Sequence, residues 1–266
     1  MPRNLFHVLQ VIVNSEEESN TNKMIARYLV EHMHEIDKLS IYDLADGCFI
    51  SNSTVSRFAK SLGVSNFVEM KEMLSEYKDS GFEISTDIMD KLDLSARDPK
   101  ANFSDYIDRI CKGLRVMEDV SFEDINKLNK TIHETKNVYL FGTELTGLLI
   151  RYYQLMMMSI GKVVYCCDDN INAHNLVKNL GPDDLAVVVS NDGNYLNGNK
   201  DIILTLRKQG CKMALITQNP TCRYINRFDQ VVYMGEYSES IASHHKQLLM
   251  IEAIVNLYVQ NFYSQK

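Results

Sequence analysis

Five short apolar segments, spaced along the second half of the chain, constrain its fold more than any other feature. Each is at most seven residues long, rich in Val, Tyr, Ile or Cys, and separated from the next by a stretch that can form a helix. The segments are Asn137–Phe141, Lys162–Cys167, Asp184–Ser190, Cys211–Thr217 and Asp229–Met234. Because strands that alternate with helices are typical of βαβ units, the pattern predicts an α/β domain whose parallel sheet is buried on both faces.

The first 80 residues differ, because their pattern is helical with short loops and contains no convincing strand. Residues 81–101 are polar, show little periodicity and include Pro99. We therefore expect an all-α domain over residues 1–80, a linker over 81–101 and the α/β domain over 102–266. Two helices, Asn102–Val120 and Phe122–Glu134, are predicted to precede the first strand.

Composition excludes several classes of protein. No apolar run approaches the ~20 residues of a membrane span, and the segment Met1–His7 lacks the features of a signal peptide. Six cysteines without a Cys-x-x-Cys pair indicate a reduced, cytoplasmic protein. The net charge is −7, and the first 80 residues hold 8 basic against 12 acidic side chains. Any contact with nucleic acid must therefore come from a local basic face.

The segment from Leu39 to Gly63 predicts two short helices joined by a tight turn. Ser40 and Asp43 have the spacing of a capping box, and Leu39 and Leu44 the spacing of a hydrophobic staple, so a helix should begin at Ile41. Gly47 should end it within two turns. A second helix should begin at Ser51 or Asn52, bury the face formed by Val55, Phe58, Ala59 and Leu62, and end at Gly63.

The outer face of this second helix has the chemistry of a DNA contact. Its seven candidate contact residues are Ser51, Asn52, Ser53, Thr54, Ser56, Arg57 and Lys60. Small polar side chains let a helix N-terminus approach base edges and phosphates, and the two basic side chains supply charge. The pattern favours a helix-turn-helix over a generic amphipathic pair. Phe49 occupies a turn position where Gly is common, and because a left-handed conformation is costly for Phe, we expect a different turn there.

The stretch from Ser40 to Lys71 resembles the helix-turn-helix domain of the RpiR family of bacterial transcriptional regulators. The resemblance is carried by Ser51-x-x-Thr54-x-Ser56-Arg57-Phe58-x-x-x-Leu62-Gly63. It implies a DNA-binding domain, a linker and then a sugar isomerase (SIS) domain, and so covers nearly the whole chain.

Two loops at the carboxyl ends of predicted parallel strands are the candidate ligand site. The loop from Gly142 follows the first strand, and the loop from Ser190 contains Gly193 and leads into a helix, where backbone amides can bind an anion. The candidate ligand-binding residues are Gly142, Thr143, Thr146, Ser190, Asn191, Gly193 and Tyr195. Glu144 stands where a dinucleotide fingerprint requires a second glycine, which argues against a dinucleotide.

The resemblance implies that these loops bind a sugar phosphate through Gly-x-Gly-x-Ser and Ser-x-Ser-Gly-x-Thr. Gly142 and Thr146 match the first motif, with Glu144 in place of its second Gly. Ser190 and Gly193 match the second, with Asp192 in place of a Ser and Tyr195 in place of the Thr. Because two carboxylates then stand where a phosphate would lie, we expect an effector that is uncharged or cationic near these loops, or an empty site.

Other reactive side chains have ordinary explanations. His244 and His245 are adjacent on a predicted helix and cannot converge on one metal ion, so a polar helix start is favoured. His174 is as well explained by a surface position as by a ligand cleft. Cys166 and Cys167 end a strand and should be core thiols on opposite faces. We expect no metal and no cofactor.

Taken together, the sequence predicts a cytoplasmic, DNA-binding transcriptional regulator whose SIS-like domain senses a small molecule, a sugar or sugar phosphate. The helix Leu148–Ile160 is apolar nearly all round, which favours a homodimer or higher homo-oligomer that reads two half-sites. One alternative is a SIS-type sugar phosphate isomerase with Glu144, Glu239 or His244 as its base. The other is a DNA-binding dimer that no longer responds to a ligand.

Overall fold

The computed structural model divides the chain into two compact units, Met1–Lys91 and Leu92–Lys266. It describes residues 5–16, 19–76, 78, 98–168, 170–235 and 240–263, with the side chains of residues 7, 144, 170–172 and 240 outside that description. Residues 81–97 of the expected linker lie outside the described residues, as does Glu239.

The first unit is built from helices throughout its described part, as the sequence predicts. The helices are α1 (Leu5–Asn14), α2 (Asn20–Glu31), α3 (Ile41–Gly47), α4 (Asn52–Ser61) and α5 (residues 67–76), with a 3-10 turn at Met33–Glu35. Their apolar faces meet in one core, in which Ile25, Leu29, Leu44 and Val55 are completely buried. Amphipathic helices of this length are stable because they bury such a face together.

The second unit contains a five-stranded parallel sheet, which confirms the predicted α/β fold. The strands are β1 (Asn137–Phe141), β2 (Tyr165–Cys167), β3 (Asp184–Val189), β4 (Lys212–Thr217) and β5 (Gln230–Tyr233). Their order across the sheet is β2-β1-β3-β4-β5, and every neighbouring pair is parallel. Side chains from alternate positions of β3 enter two separate cores, with Leu185 and Val187 on one face and Ala186 and Val188 on the other.

Helices cover both faces of this sheet. They are α6 (Pro99–Arg115), α7 (Phe122–Glu134), α8 (Glu144–Ser159), α9 (Asn170–Leu176), α10 (Asn194–Gly198), α11 (Lys200–Lys208) and α12 (Ser243–Tyr258). Short 3-10 turns occupy Val177–Asn179, Ile225–Arg227 and Ser240–Ala242, and a π-turn follows α12 at Val259–Tyr263. None of the helices in the described ranges is long and apolar enough to cross a membrane.

Several predicted boundaries are wrong, among them the end of helix α6, which lies at Arg115 and not at Val120. Helix α6 begins at Pro99 and not at Asn102, because the Asp98 side chain accepts from the Ala101 amide and Pro occupies the first turn. Strand β2 begins at Tyr165 and not at Lys162, because the preceding residues close the end of α8: Gly161 has φ +81° and the Lys162 amide donates to the Met157 carbonyl.

Strand order determines where a ligand site can form. β1 lies between β2 and β3, and β3 lies between β1 and β4. The chain therefore leaves the adjacent strands β1 and β3 toward opposite faces of the sheet. A crevice opens at the carboxyl ends of such a strand pair. The loops after Phe141 and Val189 lie at this edge of the sheet, at the carboxyl ends of β1 and β3.

Candidate functional site

The N-terminus of α3 is fixed by the predicted capping box. Ser40 Oγ accepts from the Asp43 amide at 3.1 Å, and Asp43 Oδ2 accepts from the Ser40 amide at 2.9 Å. Hydrogen bonds from the Ser40 side chain and amide lower the pKa of Asp43. Leu39 and Leu44 are both buried, as a staple requires.

The turn between α3 and α4 contradicts the expectation for Phe49. This residue has φ +52° and is therefore left-handed after all. The Phe49 amide donates to the Asp46 carbonyl at 3.1 Å and the Ile50 amide to the Ala45 carbonyl at 2.9 Å. These two bonds form a Schellman motif, which requires a left-handed residue at this position whatever its side chain.

Helix α4 has the predicted start, face and end. Ser51 Oγ accepts from the Thr54 amide at 3.2 Å, while Val55 and Phe58 are buried against the core. At the other end, Gly63 has φ +80° and its amide donates to the Lys60 carbonyl at 2.9 Å.

The outer face of α4 carries a connected set of polar groups. Ser51 Oγ lies 2.8 Å from Ser53 Oγ and 3.0 Å from Thr54 Oγ1, and Arg57 Nη2 donates to Thr54 Oγ1 at 3.4 Å. Arg57 is exposed, as is Lys60. The half-buried Ser56 instead donates its hydroxyl to the Asn52 carbonyl at 3.0 Å. This arrangement orients hydroxyls and one guanidinium by one another on the outer face of α4, which is the chemistry that the contact of a helix with a duplex groove requires.

In the second unit, the loop after β1 packs closely against the start of α8. Gly142 is buried, and a Cβ on it would lie 2.7 Å from Thr146 Cγ2, so only glycine fits. Thr143 is the N-cap residue of α8, but its side chain makes no capping bond. Thr146 Oγ1 and the Gln247 amide are 3.0–3.1 Å apart. The carboxylate of Glu144, on which part of the charge argument depends, lies outside the described residues.

The loop after β3 is held by hydrogen bonds that each involve one of its own backbone atoms. Ser190 is 5% exposed, and its Oγ accepts from the Tyr195 amide at 3.3 Å. Gly193 has φ +85°, and a Cβ there would lie 2.4 Å from Cys222 Cβ. The Asn191 carbonyl accepts from the Gln218 amide at 3.1 Å and from Thr217 Oγ1 at 2.9 Å, which ties the loop to the end of β4.

Two of the predicted ligand residues carry buried polar atoms without a partner. The ring of Tyr195 packs in the core beside Phe141 and Cys167, and its hydroxyl finds no hydrogen-bond partner within the described ranges. Burial raises the pKa of Tyr195. Asn191 is 8% exposed, and its Oδ1 also has no partner among those residues. Asn191 thus carries an unused acceptor in the loop after β3, whereas the Tyr195 ring serves packing.

A buried polar network that the sequence did not predict joins the loop after β3 to the start of α12. Gln218 Nε2 donates to Asp192 Oδ1 at 3.1 Å and to Ser243 Oγ at 2.9 Å, and Gln218 Oε1 accepts from Lys246 Nζ at 3.2 Å. Lys246 is 0% exposed. The sequence indicated only a polar start for α12, because nothing local distinguishes a buried lysine from a solvated one.

His244 also lies at this end of α12. Burial lowers the pKa of His244 and the neighbouring His245 lowers it further, while the negative charge of Asp192 raises it. His245 is exposed. Burial thus favours the neutral form of the His244 imidazole, which lies on the same helix turn as the buried Lys246.

The remaining candidates are placed as follows. His174 is half-buried on α9. Cys166 and Cys167 pack on opposite faces of the sheet, as predicted, and burial raises the pKa of each thiol to about 12. Within the described ranges, no three His, Cys, Asp or Glu side chains lie close enough together to hold a metal ion.

Comparison with known proteins matches both units. Residues 6–81 match the helix-turn-helix domain of the rpiR family, and residues 131–257 match the SIS domain. An HTH-type transcriptional regulator of Providencia stuartii is 21% identical over 199 residues, which cover 74% of this chain and 69% of that protein.

Solved structures show the same fold. The Vibrio vulnificus NanR protein complexed with ManNAc-6P is 17% identical with a TM-score of 0.54, over 98% of this chain and 93% of that one. The protein c3406 of E. coli CFT073 is 16% identical with a TM-score of 0.52, over 59% of this chain and 88% of that one. With a helix-turn-helix domain of the rpiR type followed by a SIS domain, the chain belongs to the RpiR family of transcriptional regulators.

Proposed function

We propose that this regulator binds duplex DNA through α4 and a sugar phosphate at the crevice between β1 and β3, and that it acts in the cytoplasm without turning the ligand over. The observation that supports the effector site is the fully buried Lys246, whose Nζ donates to the side-chain amide oxygen of Gln218. The nitrogen of the same amide donates to Asp192. The ManNAc-6P bound by the Vibrio vulnificus NanR protein supports the same class of ligand.

The buried lysine changes the charge balance expected from the sequence. A carboxylate 4 Å from a phosphate charge costs about 4 kcal/mol at the effective dielectric near a protein surface. One amide group bridges Asp192 and Lys246, so the cation lies close enough to offset that repulsion. Asn191 Oδ1 accepts a hydrogen bond from a sugar hydroxyl, the kind of donor that this buried acceptor lacks within the described ranges.

The partner in the assembly is a second copy of the chain. The outer face of α8 exposes Leu148 by 61%, Leu155 by 67% and Met158 by 52%, while Tyr152 between them is 37% exposed. Leu145, Leu148, Tyr152 and Leu155 follow a 3-4-3 spacing, which is the repeat by which helices pack side by side. A dimer through α8 buries this stripe and supplies the two reading helices that a symmetric operator needs.

Regulation then requires that the effector bind one arrangement of the two SIS domains better than another. Its differential affinity shifts the equilibrium between arrangements and so changes the relative placement of the DNA-binding domains. An effector that binds both arrangements equally has no regulatory result.

Two measurements test this function. The full-length chain is expected to enrich specific duplexes from a randomised library, and its melting temperature is expected to rise with ManNAc-6P or a hexose 6-phosphate but not with the matching free sugar. Failure to enrich any duplex contradicts the DNA-binding assignment, and equal shifts with free sugars contradict the phosphate assignment.

The isomerase alternative depends on His244, whose neutral imidazole can serve as a base. The same samples incubated with each sugar phosphate distinguish the two functions, because a sensor returns the ligand unchanged and an isomerase converts it. Isomer formation that is lost in His244→Asn contradicts the sensor.

A further inference from the structure

The first unit contains two Schellman motifs with different residues at the same position. After α4 the left-handed residue is Gly63, with φ +80°, and the Val64 amide donates to the Ala59 carbonyl at 3.3 Å. After α3 the left-handed residue is Phe49, with φ +52°, and the Ile50 amide makes the equivalent bond to the Ala45 carbonyl. Glycine is the usual residue at this position because it has no Cβ to collide with the backbone.

Phe49 is unfavourable here in two independent ways. A bulky side chain with positive φ is strained, and the ring gains nothing from packing because Phe49 is 96% exposed. Phe49 is the most exposed large apolar side chain in the part of the chain that the structure describes. Strain of this kind persists where the side chain has another use.

The position of Phe49 indicates what that use is. The residue lies two positions before Ser51, the N-cap of α4, and so its Cα is at most about 7 Å from the Cα of Ser51. Ser51 and Ser53 are exposed at the helix end that approaches the base edges. The major groove is about 12 Å wide, so a ring attached at this distance falls inside the footprint of the docked helix.

We propose that Phe49 is a DNA-contact residue whose ring packs on the C5-methyl group of a thymine at the edge of the site read by α4. The thymine methyl is the apolar group that bases present in the major groove, and phenylalanine is a side chain that contacts it. The polar first turn of α4 supplies hydrogen bonds, and Phe49 adds an apolar contact that serine and asparagine cannot make. This inference rests on the proposed role of α4 as the reading helix.

The test replaces the ring while keeping the turn. Asparagine tolerates the left-handed conformation, so Phe49→Asn is expected to leave the melting temperature unchanged or raise it. Its dissociation constant for the duplex enriched by the wild-type chain is expected to rise about tenfold. Thymines in that duplex are then replaced by deoxyuridine one at a time. Deoxyuridine at one of these positions is expected to weaken binding by the wild type about tenfold, as Phe49→Asn does. The same replacement is expected to leave the affinity of Phe49→Asn unchanged.

The control is Tyr224→Asn in the second unit. Among the described residues, Tyr224 is the other non-glycine residue of positive φ, at +67°, and its replacement is expected to leave DNA affinity unchanged. Unchanged affinity of Phe49→Asn overturns the proposal. If Phe49→Asn weakens binding but no single deoxyuridine replacement weakens binding by the wild type to the same extent, the thymine contact is overturned. If Arg57→Ala weakens binding and Phe49→Asn does not, α4 remains the reading helix and only this inference fails. If the wild type enriches no duplex, the proposed function fails with it.

Discussion

The two candidate sites of this protein are assembled over very different distances along the chain. At the start of α4, Ser51 bonds to Ser53 and Thr54, and Arg57 to Thr54, so each contact spans at most three residues. At the effector crevice, Thr146 meets Gln247 across 101 residues and Gln218 meets Asp192 across 26. Local sequence therefore specifies the first site, whereas the fold of the whole second unit specifies the other.

This difference predicts how each site responds to change. Altering α4 should remove a contact and leave the fold intact, because the polar side chains of its outer face are exposed. These are Ser51, Ser53, Arg57 and Lys60. Altering the effector site should couple binding to stability, since its side chains on α12 are deeply buried. Ser243, Lys246 and Gln247 are at most 3% exposed.

The largest effect is expected on α8, where one helix carries both a core face and an outer face. Met157 is 0% exposed and Leu155 is 67% exposed. Met157→Lys buries an unpaired charge, and we expect it to cost about 4 kcal/mol and unfold the second unit. Leu155→Lys should keep the circular dichroism spectrum and yield monomers in sedimentation. A dimeric Leu155→Lys would mean that the subunits associate through another surface.

The next effect concerns DNA affinity. Arg57→Ala should weaken binding to the enriched duplex by about 1–3 kcal/mol at fixed salt, because it removes an exposed charge from the reading face without touching the core. Arg27→Ala is the matched control, since Arg27 is also an exposed arginine, paired with Glu31 at 2.6 Å on α2. Equal affinities of the two variants in a gel-shift titration would exclude α4 as the reading helix.

The agreement between sequence and structure follows this division only in part. Helix α7 was predicted to the residue, because Ser121 caps it and its apolar period is regular. Residue preference alone predicts the wrong conformation for Phe49, because the two hydrogen bonds of the Schellman motif impose a positive φ there. The pairing of Lys246 with Gln218 could not be predicted, since it depends on how α12 lies against β4.

A smaller effect is expected at the effector loop. Asp192→Ser removes a carboxylate from the crevice and should tighten sugar phosphate binding about tenfold, because Lys246 already offsets part of the repulsion. Calorimetric titration measures this change, and Asp201→Ser, which removes an exposed carboxylate on α11, should leave the affinity unaltered. If the wild type binds a hexose phosphate at micromolar concentration and Asp192→Ser binds no tighter, the phosphate lies elsewhere.

The smallest effect is a dependence of stability on pH. Burial lowers the pKa of His244 in the folded state, so the unfolded chain takes up this proton first as the pH falls. The contribution of His244 to stability is complete above pH 6.5, its ordinary value, and is lost as the pH falls below it. His244→Asn should flatten this part of the melting profile of the second unit. The exposed His34→Asn in the first unit should leave it unchanged.

The central claim is that the two sites are coupled, and one titration tests it directly. The affinity of the intact chain for its enriched duplex is measured with and without a saturating concentration of the sugar phosphate that gives the largest thermal shift. We expect the dissociation constant to change by at least about fivefold, equivalent to about 1 kcal/mol of coupling. The same dissociation constant in both titrations would contradict it, because a ligand that leaves DNA affinity unaltered is not the effector of this regulator.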